Sequence, residues 1–365
     1  MQTRENQSAV DRPRVLFVPV SGPGGAGELM RCLIVARALR CSAPDCDIHF
    51  IVSRDAALRG AVDFTIHDCD DSPTRSTPQV VAILERLQPQ VVVFDSAGRT
   101  AQLRTAKRLG ARIVFCSRSQ RLRWKAFRLH WMRLLDEHWV IYPRFLAGDL
   151  SWLQRLKLRL APHYTLRFFD TFFAASDPAV RTDWLSGQRL APAGFTLFVP
   201  GGRGPGQRAA IDPVDLFIDA ATRYVAATGG IAVVLSGRDA GELRQPATGN
   251  VRVLPRLIPD EVQHLLAAAD RIVSNGGGTL IHALAHGQAV VCAPVAGDQA
   301  DRIRRAARLG IVSAAEPDAA AIADAAVRLA RDPQAEHALR ARAASFHVHN
   351  AVDEAVAALL HLMRE

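Results

Sequence analysis

Val273-Ser-Asn-Gly-Gly-Gly-Thr-Leu-Ile-His-Ala-Leu-Ala-His-Gly-Gln-Ala-Val-Val-Cys-Ala-Pro-Val-Ala-Gly-Asp-Gln299 has the order of an α/β unit: strand, glycine turn, helix, strand and polar loop. An apolar run ends at Ser274, three glycines follow, and Thr279 opens a short helix. A second buried strand then covers 289–293, with a polar loop beyond it. Gly276, Gly277 and Gly278 let a backbone pass close to a ligand, because no Cβ intervenes. The free N–H groups and positive dipole end of the helix that follows suit a phosphate. Asp298 and Gln299 lie just past the C-terminal end of a strand, where open α/β sheets place ligands. A phosphate cradle beside a polar pair fits a sugar nucleotide.

Working outward, strands alternate with helices along the whole chain, the pattern of parallel sheets covered on both faces. The spacing predicts strands at 15–20, 47–52, 63–66, 91–95, 112–116 and 138–141, with helices at 78–87 and 100–109. A second series begins at 195–202 and continues at 231–236, 251–254, 271–274 and 289–293. Residues 176–193, rich in Ser, Asp, Pro, Gly and Ala, read as a linker. The expected division is therefore an N-terminal domain over 13–175 and a C-terminal domain over 194–346. A closing helix over 347–365 carries Val352, Ala355, Val356, Leu359, Leu360 and Met363 at helical spacing.

A chain of 365 residues, 49% hydrophobic, suits two cores better than one. Residues 1–12 are polar and lack the apolar segment of a secretory signal, and no run reaches the roughly eighteen apolar residues that span a bilayer. A cytoplasmic protein is expected. The six cysteines form no C-x-x-C pair and read as reduced, mostly buried thiols rather than a zinc site. A G-x-S-x-G elbow and a Walker loop are both missing, and Gly24-Gly-Ala-Gly27 is out of register for a dinucleotide fingerprint. These points set aside hydrolase-elbow, NTPase and dehydrogenase readings. Neither a cofactor nor a metal is expected, since Asp68-Cys-Asp-Asp71 sits in a loop rather than at a strand end of the second series.

The order of glycine turn, threonine, helix, Gly-x-x, strand, proline and Asp-Gln resembles the donor signature of GT-B glycosyltransferases, which include MurG-like and UDP-glycosyltransferase families. The resemblance spans Arg14 to about Leu309. It implies an α/β GT-B protein: two Rossmann-like domains with a cleft between them, the closing helix returning to the first domain. It also implies an inverting, metal-independent glycosyltransferase using a UDP- or TDP-linked donor. In the first domain, Gly22-Pro-Gly-Gly-Ala-Gly27-Glu28-Leu-Met-Arg31-Cys resembles both the MurG-type opening and that of PseG-type nucleotide-sugar hydrolases. The acceptor-side loop is then Gly24, Gly25, Gly27 and Arg31.

Where those families carry a histidine near the reacting centre, this chain has Glu28, either a general base or a residue complementing the helix dipole. Gly201, Gly202 and Arg203 match the turn opening the second domain, where an Arg neutralises phosphate without a metal. Arg256, Leu257 and Ile258 fall in the segment that grips the nucleobase through backbone groups, or in an ordinary strand-to-helix connection. Together with Asn275, these complete the expected donor set. The families place a glutamate for the ribose hydroxyls three residues after the threonine. Here His282 stands there, toward the ribose or toward solvent, and an imidazole does not replace a bidentate carboxylate. The rival readings are a nucleotide-sugar hydrolase, with water as acceptor, and a donor-binding protein without catalysis.

The net charge is +9, and residues 118–160 hold ten Lys or Arg against three acids, interleaved with Trp124, Phe127, Trp131 and Trp152. This suits either an anionic membrane surface carrying a lipid-linked acceptor, at the inner face of the membrane, or a helical hairpin with a solvated basic face. Nucleic acid is not indicated, because no recognition motif for it appears.

Overall fold

The computed structural model describes residues 12–22, 27–201, 212–244, 246 and 249–364, and at 297 and 298 the backbone alone. It divides into two units, Met1–Phe172 with Asn350–Glu365, and Phe173–His349. Both are parallel sheets flanked by helices.

In the first unit the strands are β1 (Arg14–Pro19), β2 (Asp47–Ser53), β3 (Thr65–Cys69), β4 (Val91–Asp95), β5 (Arg112–Ser117), β6 (Glu137–Ile141) and β7 (Thr165–Phe169). Their order is β3-β2-β1-β4-β5-β6-β7, every neighbour parallel. The near-continuous apolar strands follow from cover on both faces. Val15, Phe17, Val91 and Val93 pack beneath the Gly27–Ser42 helix and the C-terminal helix Val352–Leu362. Leu16, Val18, Val92 and Phe94 face Phe127, Trp131 and Leu135 on the other side. The C-terminal helix is held at its start by Ala351 N donating to Thr171 O at 2.9 Å.

In the second unit the strands are β8 (Thr196–Val199), β9 (Ala232–Leu235), β10 (Val251–Leu254), β11 (Arg271–Ser274), β12 (Ala289–Cys292) and β13 (Ser313–Ala314). Their order is β10-β9-β8-β11-β12-β13, again all parallel. Phe198, Val234, Val273 and Val291 bury against the Pro213–Thr228 and Ala319–Arg331 helices. In both sheets the order reverses between the first strand and the fourth, β1 against β4 and β8 against β11. Such switch points leave a crevice at the strands' C-terminal ends.

Three segments differ from their reading in the sequence. β3 begins two residues later than expected, and at the sheet edge its burial shows no alternation. Residues 176–193 hold a helix, Pro178–Gly187, within the second unit. Asp177 caps it by accepting from Ala179 N at 2.8 Å, proline opens it, and Leu185 is buried. Residues 118–160 are no simple hairpin, since β6 runs through them between short helices. Trp131, Phe127 and Met132 there are core residues, and Arg123 is buried with Nη1 donating to Gly148 O at 3.0 Å. No helix among the described residues is long and apolar enough to cross a membrane. The six thiols are free, and all but Cys41 are buried.

Candidate functional site

The glycine triplet sits at the switch point of the second sheet, directly after β11. Gly276 has φ +73°, a backbone state that L residues rarely adopt, and a Cβ there would lie 2.6 Å from Ile303 Cγ1. Asn275 is buried, and its Oδ1 accepts from Gly277 N at 2.9 Å. The same amide fills the space where a Cβ on Gly201, just past β8, would collide, and Gly201 has φ +73°. Both switch strands thus end on glycines packed around one asparagine. The Gly278–Ala285 helix starts here with Gly277 at its N-cap. Its first N–H groups have no carbonyl four residues back, which leaves donors and a positive dipole end for an anion.

A cation missing from the sequence reading joins them. Arg302, on the Gly297–Arg308 helix, donates from Nη1 to Gly276 O at 2.8 Å. Gln299 serves the loop itself: its Oε1 accepts from Val295 N at 2.8 Å and Ala296 N at 3.0 Å, and the residue is buried. That oxygen is committed to backbone. The side chain of Asp298 lies outside the described residues, as do Gly202 and Arg203.

His282 points neither simply to solvent nor freely into the crevice. Gln263 Nε2 donates to its Nδ1 at 3.0 Å, while Gln263 Oε1 accepts from His286 Nε2 at 3.0 Å. Phe173 packs on both imidazoles, at 5.4 and 5.1 Å between ring centroids. Burial, helped by the charge of Arg181, holds the His286 pKa below its ordinary value. With Nδ1 accepting, the proton of a neutral His282 is on Nε2, so the ring presents a donor where a glutamate would present acceptors.

Arg256, Leu257 and Ile258 occupy the turn after β10. Arg256 Nε stands 3.5 Å from Asp239, and Ile258 N donates to Glu261 Oε2 at 3.0 Å. Ile258 is half exposed.

A cavity of about 510 Å³ also lies in this unit. It opens at the opposite ends of the strands, among Phe195, Thr196, Tyr224, Asp270 and Arg271. Polar groups at its wall are already bonded: Thr196 Oγ1 donates to Tyr224 OH at 2.9 Å and Arg271 Nε to Glu336 at 2.8 Å. The glycine crevice, at a helix N-terminus beside Arg302, is the better anion site.

The first unit places charge at its own switch point. Glu28 is in the first turn of the Gly27–Ser42 helix after β1, and Asp95 ends β4. Arg31 grips Asp95 with Nε to Oδ2 and Nη2 to Oδ1, both 2.8 Å, and its Nη2 is 3.7 Å from Glu28 Oε1. Ser96, at φ +56°, adds a bond from Oγ to Asp95 Oδ1 at 3.2 Å. Burial raises the Asp95 carboxyl above its ordinary range, and the bidentate guanidinium of Arg31 opposes that rise. For Glu28, burial pushes upward too, but Arg31 and then Arg118 outweigh it, so its pKa falls below the ordinary 4.5. Gly27 has open space beyond its Cα, while Gly24 and Gly25 lie outside the described residues.

Residues 205–332 match the family described as "Glycosyl transferases group 1". No curated protein matches the chain significantly. Among solved structures, the chain is similar to the spinosyn forosaminyltransferase SpnP, with TM-score 0.68 and 18% identity over 97% of this chain and 100% of that one. It is similar to the calicheamicin glycosyltransferase CalG4, with TM-score 0.63 and 18% identity over 96% and 98%. LpCGTa, solved in complex with UDP, gives TM-score 0.62 and 14% identity over 96% and 99%. The chain therefore has the GT-B fold, and its residues 205–332 match the group 1 glycosyl transferase family.

Proposed function

We propose that this protein transfers a sugar from a UDP- or TDP-linked donor to an acceptor hydroxyl, with inversion and without a metal. The observation that carries the reading is the second unit's switch point. There Gly201, Gly276 and Gly277 clear the backbone around Asn275 at the start of a helix, beside Arg302.

In this scheme the helix donors and Arg302 hold the donor's diphosphate, aided by Gly202 and Arg203, which follow Gly201 in the sequence. Arg256, Leu257 and Ile258 meet the nucleobase through backbone groups, and His282 offers its Nε2 hydrogen to the ribose. Gln299 shapes the loop beside Asp298. Glu28, kept ionised by Arg31 and Arg118, takes the proton of the acceptor hydroxyl. The acceptor oxygen bonds to the anomeric carbon as the bond to the diphosphate breaks. One displacement inverts the centre, and the nucleoside diphosphate leaves with the negative charge. Positive backbone and guanidinium groups stabilise that charge in place of a metal. UDP in the complex of LpCGTa supports the nucleotide class. The acceptor is lipid-linked and met at the cytoplasmic face of a membrane, a reading supported by the basic surface of the first unit.

A panel of nucleotide sugars incubated with the protein in EDTA tests this, with nucleoside diphosphate release as the readout. Release that rises with a hydroxyl acceptor and falls in Glu28→Gln supports transfer. Equal release without acceptor indicates hydrolysis, and binding without release indicates a catalytically silent protein.

A further inference from the structure

The Trp152–Leu160 helix of the first unit exposes Trp152 at 67%, Leu153 at 43%, Leu156 at 44% and Leu160 at 76%. At 3.6 residues per turn these four fall within a stripe of about 100°. The stripe is turned outward, the reverse of what a core-facing helix does. Exposed Arg155 and Arg159 flank it. The helix is anchored on its inner side. Gln154 is buried in a reciprocal cap with Ser151, at 2.9 and 3.2 Å, and Lys157 Nζ donates to Phe127 O at 2.9 Å.

That last bond ties the helix to a corner with the same character. Trp124 is 44% exposed and Leu129 59%, and Arg121, Arg128 and Arg133 are exposed among them. The acids of this region do not dilute the charge. Asp136 is buried on Lys107 and Arg112, and Glu137 on Arg167, leaving Asp149 as the exposed acid.

We propose that this face docks on an anionic lipid bilayer. The helix lies in the interface plane, its tryptophan and leucines enter the headgroup boundary, and the arginines meet lipid phosphates. The charge decides the occupant. A second copy would bring Arg155 and Arg159 against their own kind, whereas an anionic surface neutralises them while the apolar stripe is covered. The proposal rests on the reading of a lipid-linked acceptor and names the surface that would bring the protein to it.

The test is sedimentation of the full chain with vesicles of phosphatidylcholine containing 30% phosphatidylserine, against pure phosphatidylcholine. Three proteins are compared: wild type, Trp152→Ser/Leu156→Ser/Leu160→Ser, and Arg155→Glu/Arg159→Glu. All changes are at exposed positions. Wild type is expected to sediment with the anionic vesicles and be released by 1 M salt, where the Debye length is about 3 Å. Each variant is expected to bind at least tenfold more weakly. Wild type remaining in the supernatant at low salt overturns the proposal, as does undiminished binding by both variants. So does a dimer in analytical ultracentrifugation that the triple serine change dissolves, since a second copy would then hold the face. Titration of UDP and TDP into the same proteins separates the two readings. Vesicle binding without nucleotide binding leaves the docking face standing and removes the transferase.

Discussion

Arg31 is shared unequally between two carboxylates, clasping Asp95 through two bonds of 2.8 Å and standing 3.7 Å from Glu28. Glu28 thus lies beside a cation already fixed in direction by a buried partner. Its position is set from the end of β4, and its charge by Arg31 and Arg118.

Removing that clasp has a direct cost. Arg31→Met leaves the Asp95 carboxyl buried without its cation, and breaking a buried pair on one side destabilises by about 3–5 kcal/mol. Urea unfolding should show a loss of that size. A loss below about 1 kcal/mol would mean the pair is solvated in the folded protein.

The pH dependence of turnover reports the same electrostatics. Glu28 must be ionised to accept a proton, and its pKa is lowered, so the acid limb of donor turnover should have its midpoint below the ordinary glutamate value of 4.5. Arg118 is among the groups that lower it. Arg118→Gln should therefore move the acid limb of kcat/KM to higher pH. An unmoved limb would assign the titration to another group.

The donor crevice predicts a geometric sensitivity. A methyl on Gly277 would lie 2.9 Å from Asn275 Oδ1, the acceptor that holds the loop, at a backbone angle any residue tolerates. Gly277→Ala should weaken nucleotide binding roughly tenfold, or about 1.4 kcal/mol, in calorimetric titration. Gly241→Ala, where a Cβ meets nothing within 4 Å, should leave it unchanged.

Acid stability follows from His138. It is fully buried, with Ser117 Oγ at 2.8 Å from Nε2 and Tyr164 OH at 2.6 Å from Nδ1. Burial, with a contribution from Arg123, pushes its pKa down to about 3. Between that value and the ordinary 6.5 the unfolded chain binds a proton that the folded one does not. Stability therefore falls as pH drops through this window, by up to about 1.4 kcal/mol per pH unit from this group. His138→Gln should flatten the slope there, measured by denaturant midpoints. An unchanged slope would place the acid sensitivity elsewhere.

The fold was legible because its strands are buried on both faces and appear as apolar runs such as Val91–Asp95, separated by amphipathic helices. The edge strands β7 and β13 were not. β7 is half exposed and carries Arg167 in its middle, and β13 is two residues long, so neither shows a pattern. In the candidate site, the glycines were readable because their requirement is local backbone geometry. Arg302 was not, because its partner is a main-chain carbonyl 26 residues away. Asp95 gave one signal that could have been used, an acid closing an apolar strand. The bonds of Gln299 to its own loop were equally hidden, because a polar side chain past a strand end reads the same whether it faces a ligand or its own backbone.

The most direct test of the central claim is calorimetric titration of UDP and TDP, in EDTA, into wild type and Gly201→Ala. The added methyl of that variant would collide with Asn275 at a left-handed backbone position. The account predicts that at least one nucleotide saturates a single site in wild type without metal. It also predicts that the variant, still folding cooperatively, fails to bind it. Binding of neither nucleotide by wild type, or equal binding by the variant, would contradict a donor site at the second unit's switch point.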